Sequence, residues 1–500
     1  MLALTVITSR KDMLMKKQRT KHKANNATEI NQQRTTSSEA SSSGKAKWIA
    51  TAAAALLLFG YGFGVYHYSS HFQRNIVVNN IKLGGMTVEE AEKTFVEDLD
   101  SHKIALKEKE RTEIIDPQDV DAVIHIGSQI SDLHRSFSPW TWFTHFLGRE
   151  EHTITLDVTY NEDELTAVVN DLECFAKKNV QAPKDAYIQA GESQFEIVPE
   201  VLGNTVKKKQ LIDAIGNALA TCQTSIDFEQ ADLYKLPSHY EKDEDVQNAL
   251  AQANQYTHGT ITYDFSYTTE TLDYSTTKDW ISISDNFKVS ISDSKVGDYV
   301  EELGKKYNTM GGSRDFTTSY GRKINAYGGD YGWKIYFDKE KERLMKNLKS
   351  GKDVNREPVY SYTALCRNSA RDDIGDSYVE ISIASQEVWL YIDGECKMNS
   401  SCVTGTPPNA STYTGVYSIT YKKSPDVLRG PNAGGGSYSS EVTFWMPFNG
   451  NQGLHDASWR SSFGGSIYKT NGSHGCVNLP YSAAATLYKY VDAGFPVVIY

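Results

Sequence analysis

The residues best suited to chemistry lie near the C-terminus, in Gly472-Ser473-His474-Gly475-Cys476-Val477-Asn478. A cysteine becomes a good nucleophile when a neighbour stabilises its thiolate or takes its proton. Two histidines compete for that task. His474 is close in sequence, whereas His455, in Gly453-Leu454-His455-Asp456-Ala457, must be brought to the thiol by the fold. Gly475 lets the backbone approach a substrate carbonyl closely, so the N–H groups of Gly475 and Cys476 can form an oxyanion hole. Asp456 or Ser473 can orient an imidazole, the third role of a triad. The chemistry such a set would perform is acyl transfer through a thioester. The structural alternative is a buried, inert thiol beside an unrelated histidine. No metal or cofactor is expected, because no fourth ligand at a zinc-like spacing accompanies His455, His474 and Cys476.

Holding these residues together is a task for a sheet. Tyr378-Val379-Glu380-Ile381-Ser382-Ile383 and Glu387-Val388-Trp389-Leu390-Tyr391-Ile392 alternate as strands, with a hairpin turn at Asp393-Gly394. Further strands are expected at 398–404, 414–421 and 440–446. Pro480 leads a short helix to about Val491, and Pro496-Val497-Val498-Ile499-Tyr500 closes as a strand. Residues 373–500 thus read as a mainly β catalytic domain. Gly434-Gly435-Gly436-Ser437-Tyr438 interrupts it as a flexible loop, a candidate lid.

Upstream, one order of elements occurs twice. Residues 157–165 open a helix running to about Lys177, followed by strands and a helix from about Lys207 to Ala220. Residues 288–293 open another, to Tyr307, again followed by strands and a helix from Lys339 to Leu348. These read as two α+β modules, 75–236 and 245–355. Thr87 and Glu90 form a capping box before a helix of the first module. Trp140, Trp142, Phe143 and Phe146 form an aromatic patch, read as a small core, with a membrane-proximal surface as the alternative. Cys174 and Cys222 each end a helix; a bridge between them forms if those helices pack side by side, and two buried thiols are the alternative. Cys396 and Cys402 fall on one strand, roughly 20 Å apart by strand rise, too far to pair.

Five hundred residues exceed one core and suggest about three domains. Trp48 to Tyr66 carries no charge and is about the ~20 residues needed to cross a bilayer as a helix. Residues 1–47 hold ten Lys/Arg against three acids, a charge of +7; the chain total is −11, leaving −18 for everything beyond. Positive charge on the cytoplasmic side orients residues 48–66 with the N-terminus inside and the bulk of the chain outside. The Ser/Thr/Asn/Gln-rich tail reads as disordered. It has no aromatic residue on which to stack a base, so nucleic acid is not an expected partner.

His455 followed by Ser473-His474-Gly475-Cys476-Val477-Asn478 resembles the signature of the L,D-transpeptidases, the YkuD-type cysteine enzymes of bacterial cell walls. Tyr378-Val379-Glu380-Ile381, Val403-Thr404-Gly405, Trp445-Met446-Pro447-Phe448, His455-Asp456-Ala457-Ser458-Trp459-Arg460 and Pro496-Val497-Val498 resemble blocks of the same family. The two modules resemble the peptidoglycan-binding-like repeats that precede this domain in Gram-positive members. The resemblance implies Cys476 as the acylated nucleophile and His455 as its base, with Ser473, His474, Gly475 and Asn478 shaping the pocket and Asp456 supporting the histidine. It implies peptidoglycan stem peptides as donor and acceptor, release of D-Ala from a tetrapeptide, a 3→3 cross-link and acylation by carbapenems. An L,D-carboxypeptidase on the same substrate and a non-enzymatic wall-binding anchor are the alternatives. One departure is Thr412-Tyr413-Thr414-Gly415, where the family commonly has Thr-Pro-x-Gly. Its distance in sequence from the Cys–His pair suggests only a local turn difference.

Overall fold

A computed structural model describes residues 43–146, 148–431 and 436–500. Most of the basic tail, and Gly434 and Gly435 of the glycine loop, lie outside the described residues. The described residues form two compact units: one of those up to 107 with those in 112–168 and 212–226, the other of those in 108–111, 169–211 and 227–500.

The first unit opens with helix α1, Ser43–Tyr68, of which Trp48–Tyr68 is long and apolar enough to cross a membrane. A three-stranded sheet follows, with Ile76–Val78 between Ile81–Lys82 and Glu150–His152. Helix Val88–Ser101 begins with the expected capping box: Thr87 and Glu90 each accept the other's backbone N–H, relieving two of the four orphan donors of a helix start. Its apolar face buries Ala91, Phe95 and Leu99. The aromatic patch is not a core. Trp140, Phe143 and Phe146 are 63%, 52% and 40% exposed, and the short 3-10 helix Pro139–Phe146 that carries them lies along α1 with none of its eight residues buried.

Helix Glu162–Asp171 stops six residues short of the expected end, and Cys174 sits in a separate turn, Glu173–Phe175. The two cysteines therefore do not end neighbouring helices, and none of the six cysteines is in a disulfide. Burial pushes the Cys222 thiol up to about 12.

In the second unit, Ile261–Asp264 pairs with Thr269–Leu272 and with Val354–Arg356. Helices Asp293–Tyr307 and Phe337–Ser350 pack against each other. A hairpin, Ser313–Thr317 with Lys323–Tyr327, comes between them in sequence. The C-terminal part is a five-stranded sheet ordered β3-β2-β1-β10-β4: β1 is Tyr378–Ser382, β2 Glu387–Ile392, β3 Glu395–Ser401, β4 Gly415–Ser418 and β10 Pro496–Ile499. A long hairpin pairs β5, Asp426–Pro431, with β6, Ser437–Val442. A second sheet orders β7, Trp445–Asn449, then β8, Gln452–Asp456, then β9, Val477–Leu479. Helix α2, Tyr481–Tyr490, lies against the core made by Val379, Ile381, Leu390, Leu454, Val477 and Val497.

The expected strand 440–446 is two strands. Asp456 Oδ1 accepts the N–H groups of Thr443 and Phe444, both at 2.8 Å, which takes those donors from any ladder and breaks the strand between β6 and β7. The alternate face of β1 is covered rather than wet. Phe316 and Ala326 of the 313–327 hairpin pack with Val416 and Val498, and buried Glu380 accepts the Ser319 N–H at 2.8 Å and the Tyr500 hydroxyl at 2.5 Å.

Candidate functional site

β8 and β9 run parallel, with Leu454 opposite Val477 and His455 opposite Asn478. Cys476 precedes β9 by one residue. With a side-chain period of two, His455, Asn478 and Cys476 project from one face. A sheet of this register brings the distant histidine, His455, beside the thiol. They share a cavity of about 160 Å³ with Ser473 and His474, roofed by Leu428, Tyr438 and Ser440 of the β5–β6 hairpin.

His455 is buried, between the rings of Trp445 at 5.9 Å and Trp459 at 5.8 Å. Its Nδ1 lies 2.9 Å from the backbone carbonyl of Asp456. A carbonyl only accepts, so Nδ1 carries the proton and Nε2 keeps a free lone pair. Burial lowers the histidine's pKa from its ordinary value, which keeps the ring neutral at pH 7.

Cys476 donates its S–H to the Asn451 carbonyl at 3.4 Å and accepts the Gly453 N–H, while burial pushes the thiol up to about 11. At rest the sulfur is a neutral thiol, and its proton points at a carbonyl.

The loop before β9 is tied by its own hydroxyl. Ser473 Oγ donates to the Cys476 carbonyl at 2.5 Å and accepts the Gly475 N–H at 3.0 Å. This corrects the oxyanion role expected of the Gly475 N–H: that donor is already used inside the turn. Glycine is needed there for another reason. Its φ is +120°, and a Cβ would lie 2.6 Å from Gln452 Nε2.

The Thr412-Tyr413-Thr414-Gly415 block is not remote from the site. The buried Thr412 hydroxyl donates to the Gly475 carbonyl at 2.8 Å and accepts the Gly405 N–H at 2.9 Å. Asp456 acts on the imidazole through its backbone, since its carboxylate holds the β6–β7 break. His474 stacks on Tyr438, ring centroids 4.9 Å apart and planes at 16°, so its ring meets the hairpin. Two buried polar atoms of the cavity wall, Asn478 Oδ1 and Arg460 Nε, have no hydrogen-bond partner among the described residues. Arg460 spends its terminal nitrogens on the Asn471 and Gly472 carbonyls, at 2.8 and 3.1 Å.

A neutral imidazole with a free Nε2 and a thiol in one small cavity can carry out general-base-assisted attack on a carbonyl. Residues 376–499 match the model of the L,D-transpeptidase catalytic domain, YkuD. Residues 141–227 and 242–356 both match PG_binding_4, a model for a candidate peptidoglycan binding domain. The chain is 31% identical to a cysteine-to-serine mutant of the Enterococcus faecium L,D-transpeptidase, covering 100% of that chain and 51% of this one, with a TM-score of 0.44. The chain belongs to the L,D-transpeptidases. The Ldtfm–avibactam carbamoyl enzyme is 32% identical over 98% of its own length and 51% of this chain, TM-score 0.44. The E. faecium L,D-transpeptidase catalytic domain acylated by ertapenem is 35% identical over its full length and 26% of this chain, TM-score 0.24. No curated protein sequence matches the chain.

Sequence reasoning assigned no part in this L,D-transpeptidase site to Thr412, Gln452, Tyr438, Trp459 or Arg460. Trp459 and Arg460 stood in a block matched to the family without a role, and Tyr438 stood in the loop read as a lid. Thr412 and Gln452 act through backbone atoms of other loops, which leaves no sequence pattern.

Proposed function

We propose that this L,D-transpeptidase forms 3→3 peptidoglycan cross-links through an acyl-enzyme on Cys476. The observation that carries the reading is the commitment of His455 Nδ1–H to the Asp456 carbonyl, which leaves Nε2 as a base in the cavity that holds the thiol. Substrate entering the cavity turns the S–H from the Asn451 carbonyl to Nε2. The sulfur, as its proton passes to His455, attacks the carbonyl carbon between the third residue of a stem tetrapeptide and its terminal D-Ala. The tetrahedral oxyanion is met by the Cys476 N–H. The imidazolium returns its proton to the departing amine, D-Ala leaves, and a thioester remains. The side-chain amine of a second stem attacks that thioester, passing a proton back through His455, and the thiol re-forms. Asn478 Oδ1 and Arg460 Nε, unpaired and closed to solvent at rest, become partners once substrate opens a path to them: the first accepts a peptide N–H, the second donates to a carbonyl or carboxylate oxygen.

The same reading makes α1 a single membrane anchor, N-terminus inside. The modules 75–236 and 245–355 are placed in the wall outside, and 373–500 is the catalytic domain. A carbapenem adds its mass to Cys476 in intact-protein mass spectrometry, and Cys476→Ala takes up none. Labelling of that variant would refute the assignment. Supplied with tetrapeptide, the enzyme yields cross-linked dimer and D-Ala; free tripeptide alone would identify a carboxypeptidase instead.

A further inference from the structure

Alongside α1 lies a segment whose composition and bonding suit lipid better than water. In Pro139–Phe146 four of eight residues are aromatic, and none of the eight is buried. Tyr61 of α1 lies 6.1 to 6.4 Å from the rings of Trp140, Trp142 and Phe143. Its hydroxyl donates to the Trp140 carbonyl at 2.8 Å, and the Trp142 indole N–H points back at the Tyr61 carbonyl at 3.3 Å. The Trp142 ring also stacks on Tyr68 at 5.8 Å.

The packing was built for this segment. A Cβ at Gly64 would fall 2.3 to 2.7 Å from three atoms of the Trp142 ring, whereas Gly60 and Gly62 face open space. Several of the segment's polar groups are also closed off. Thr141 and Thr144 hydroxyls bond carbonyls within the segment or next to it, and Gln73 and Asn75 donate to the Ser138 and His145 carbonyls at 2.8 and 3.0 Å. Backbone and hydroxyl groups satisfied internally are what a hydrocarbon surrounding requires. Trp140 and Phe143, the two most exposed rings, bear no such tie on their outer faces.

We propose that residues 139–146 form a wedge that enters the outer leaflet beside α1, giving the protein a second membrane contact made by Trp140 and Phe143. The inference rests on the reading of α1 as a membrane-spanning helix. Tyr61 is roughly 10 Å along the helix from Tyr68 at 1.5 Å per residue, so rings packed on Tyr61 reach about the 5–10 Å depth of interfacial amphipathic segments. Trp, Tyr and Phe at that level form the aromatic belt expected at a bilayer boundary. The occupant of the exposed face is lipid acyl chain, because the face continues the surface of the helix that lipid surrounds.

The test uses the full chain reconstituted in phosphatidylcholine–phosphatidylglycerol vesicles, with lipids brominated near the headgroup end of the acyl chain as quenchers of tryptophan emission. Quenching is expected in the wild type and falls in Trp140→Phe, which removes the indole on the outer face of the wedge. Gly64→Leu, which leaves the span apolar but drives Trp142 off the helix, is expected to lower quenching too. Protein that floats with the vesicles but shows the same quenching in wild type and Trp140→Phe overturns the wedge while leaving the anchor, as when a second copy covers the rings. Protein that does not float overturns the anchor, and the wedge with it.

Discussion

At the residue scale, the site is a thiol and an imidazole that are both neutral at rest, which separates this mechanism from one based on a stored thiolate–imidazolium pair. Burial lowers the His455 pKa from 6.5 and pushes Cys476 up to about 11. The competent form has His455 unprotonated and Cys476 protonated. The rate of carbapenem acylation should therefore rise through a midpoint below pH 6.5 and stay level through neutrality toward the thiol's own titration near 11. A midpoint above about 7 for the acid limb would contradict this assignment. His455→Gln keeps a hydrogen-bonding side chain but loses the base, and the acylation rate constant is expected to fall by about 10²–10⁴-fold; stopped-flow measurement checks it. Cys476 and His455, which line one cavity, could be singled out in the sequence because a thiol and an imidazole are candidate reactive groups by residue type. The Asp456 carbonyl and the Asn451 carbonyl could not, since every residue has a carbonyl and only the backbone path decides where it points. The same limit hid the fate of the Gly475 N–H: the short reach of Ser473 Oγ, two residues back, takes it.

At the scale of elements, the strands on either side of the site were readable from alternation and turn residues, and the joints between them were not. β6 and β7 looked continuous because Val442 and Phe444 sustain the pattern; the break comes from the Asp456 carboxylate reaching across from β8. Thr412 shows a similar contact across loops. Its hydroxyl satisfies both the Gly475 carbonyl and the Gly405 N–H, so Thr412→Val leaves two buried backbone groups unpaired. A loss of about 1–3 kcal/mol is expected in urea unfolding, with slower acylation because the Cys476 loop loses its tie. The β5–β6 hairpin meets the site through Leu428, Tyr438 and Ser440, and Tyr438 makes its one stacking contact there. Tyr438→Ala removes the stack on His474 and opens the cavity roof. An aromatic pair contributes about 0.5–1.5 kcal/mol, so the acylation rate constant should drop by up to about tenfold while the unfolding midpoint barely moves. A large loss of stability instead would make Tyr438 a core residue rather than part of the roof.

On the scale of the whole molecule, the second unit joins the region matched at 242–356 to the catalytic domain through buried polar groups as well as apolar ones. Arg314, 1% exposed, donates from Nε to Asp373 Oδ1 at 2.6 Å and from a terminal nitrogen to Oδ2 at 3.0 Å. Tyr331 adds its hydroxyl to the Asp373 carbonyl at 2.9 Å, and its N–H to the Val416 carbonyl of β4 at 3.1 Å. No sequence pattern announced this seam, because Arg314 and Asp373 lie 59 residues apart and only the fold brings them together. Apolar residues of similar size can equal such a pair in stability, whereas removing one partner strands a charge in the interior. Arg314→Met is therefore expected to cost about 3–5 kcal/mol in denaturant unfolding, and Arg314→Met combined with Asp373→Leu to recover a large part of it. Because the seam binds the 313–327 hairpin to β1 and β4, the amides of that hairpin and of β1 should exchange hydrogen together in the wild type. In Arg314→Met the hairpin should open first. Independent exchange of the two in the wild type would mean that the hairpin only rests on the catalytic sheet, and that the Asp373 pair does not couple the parts it joins.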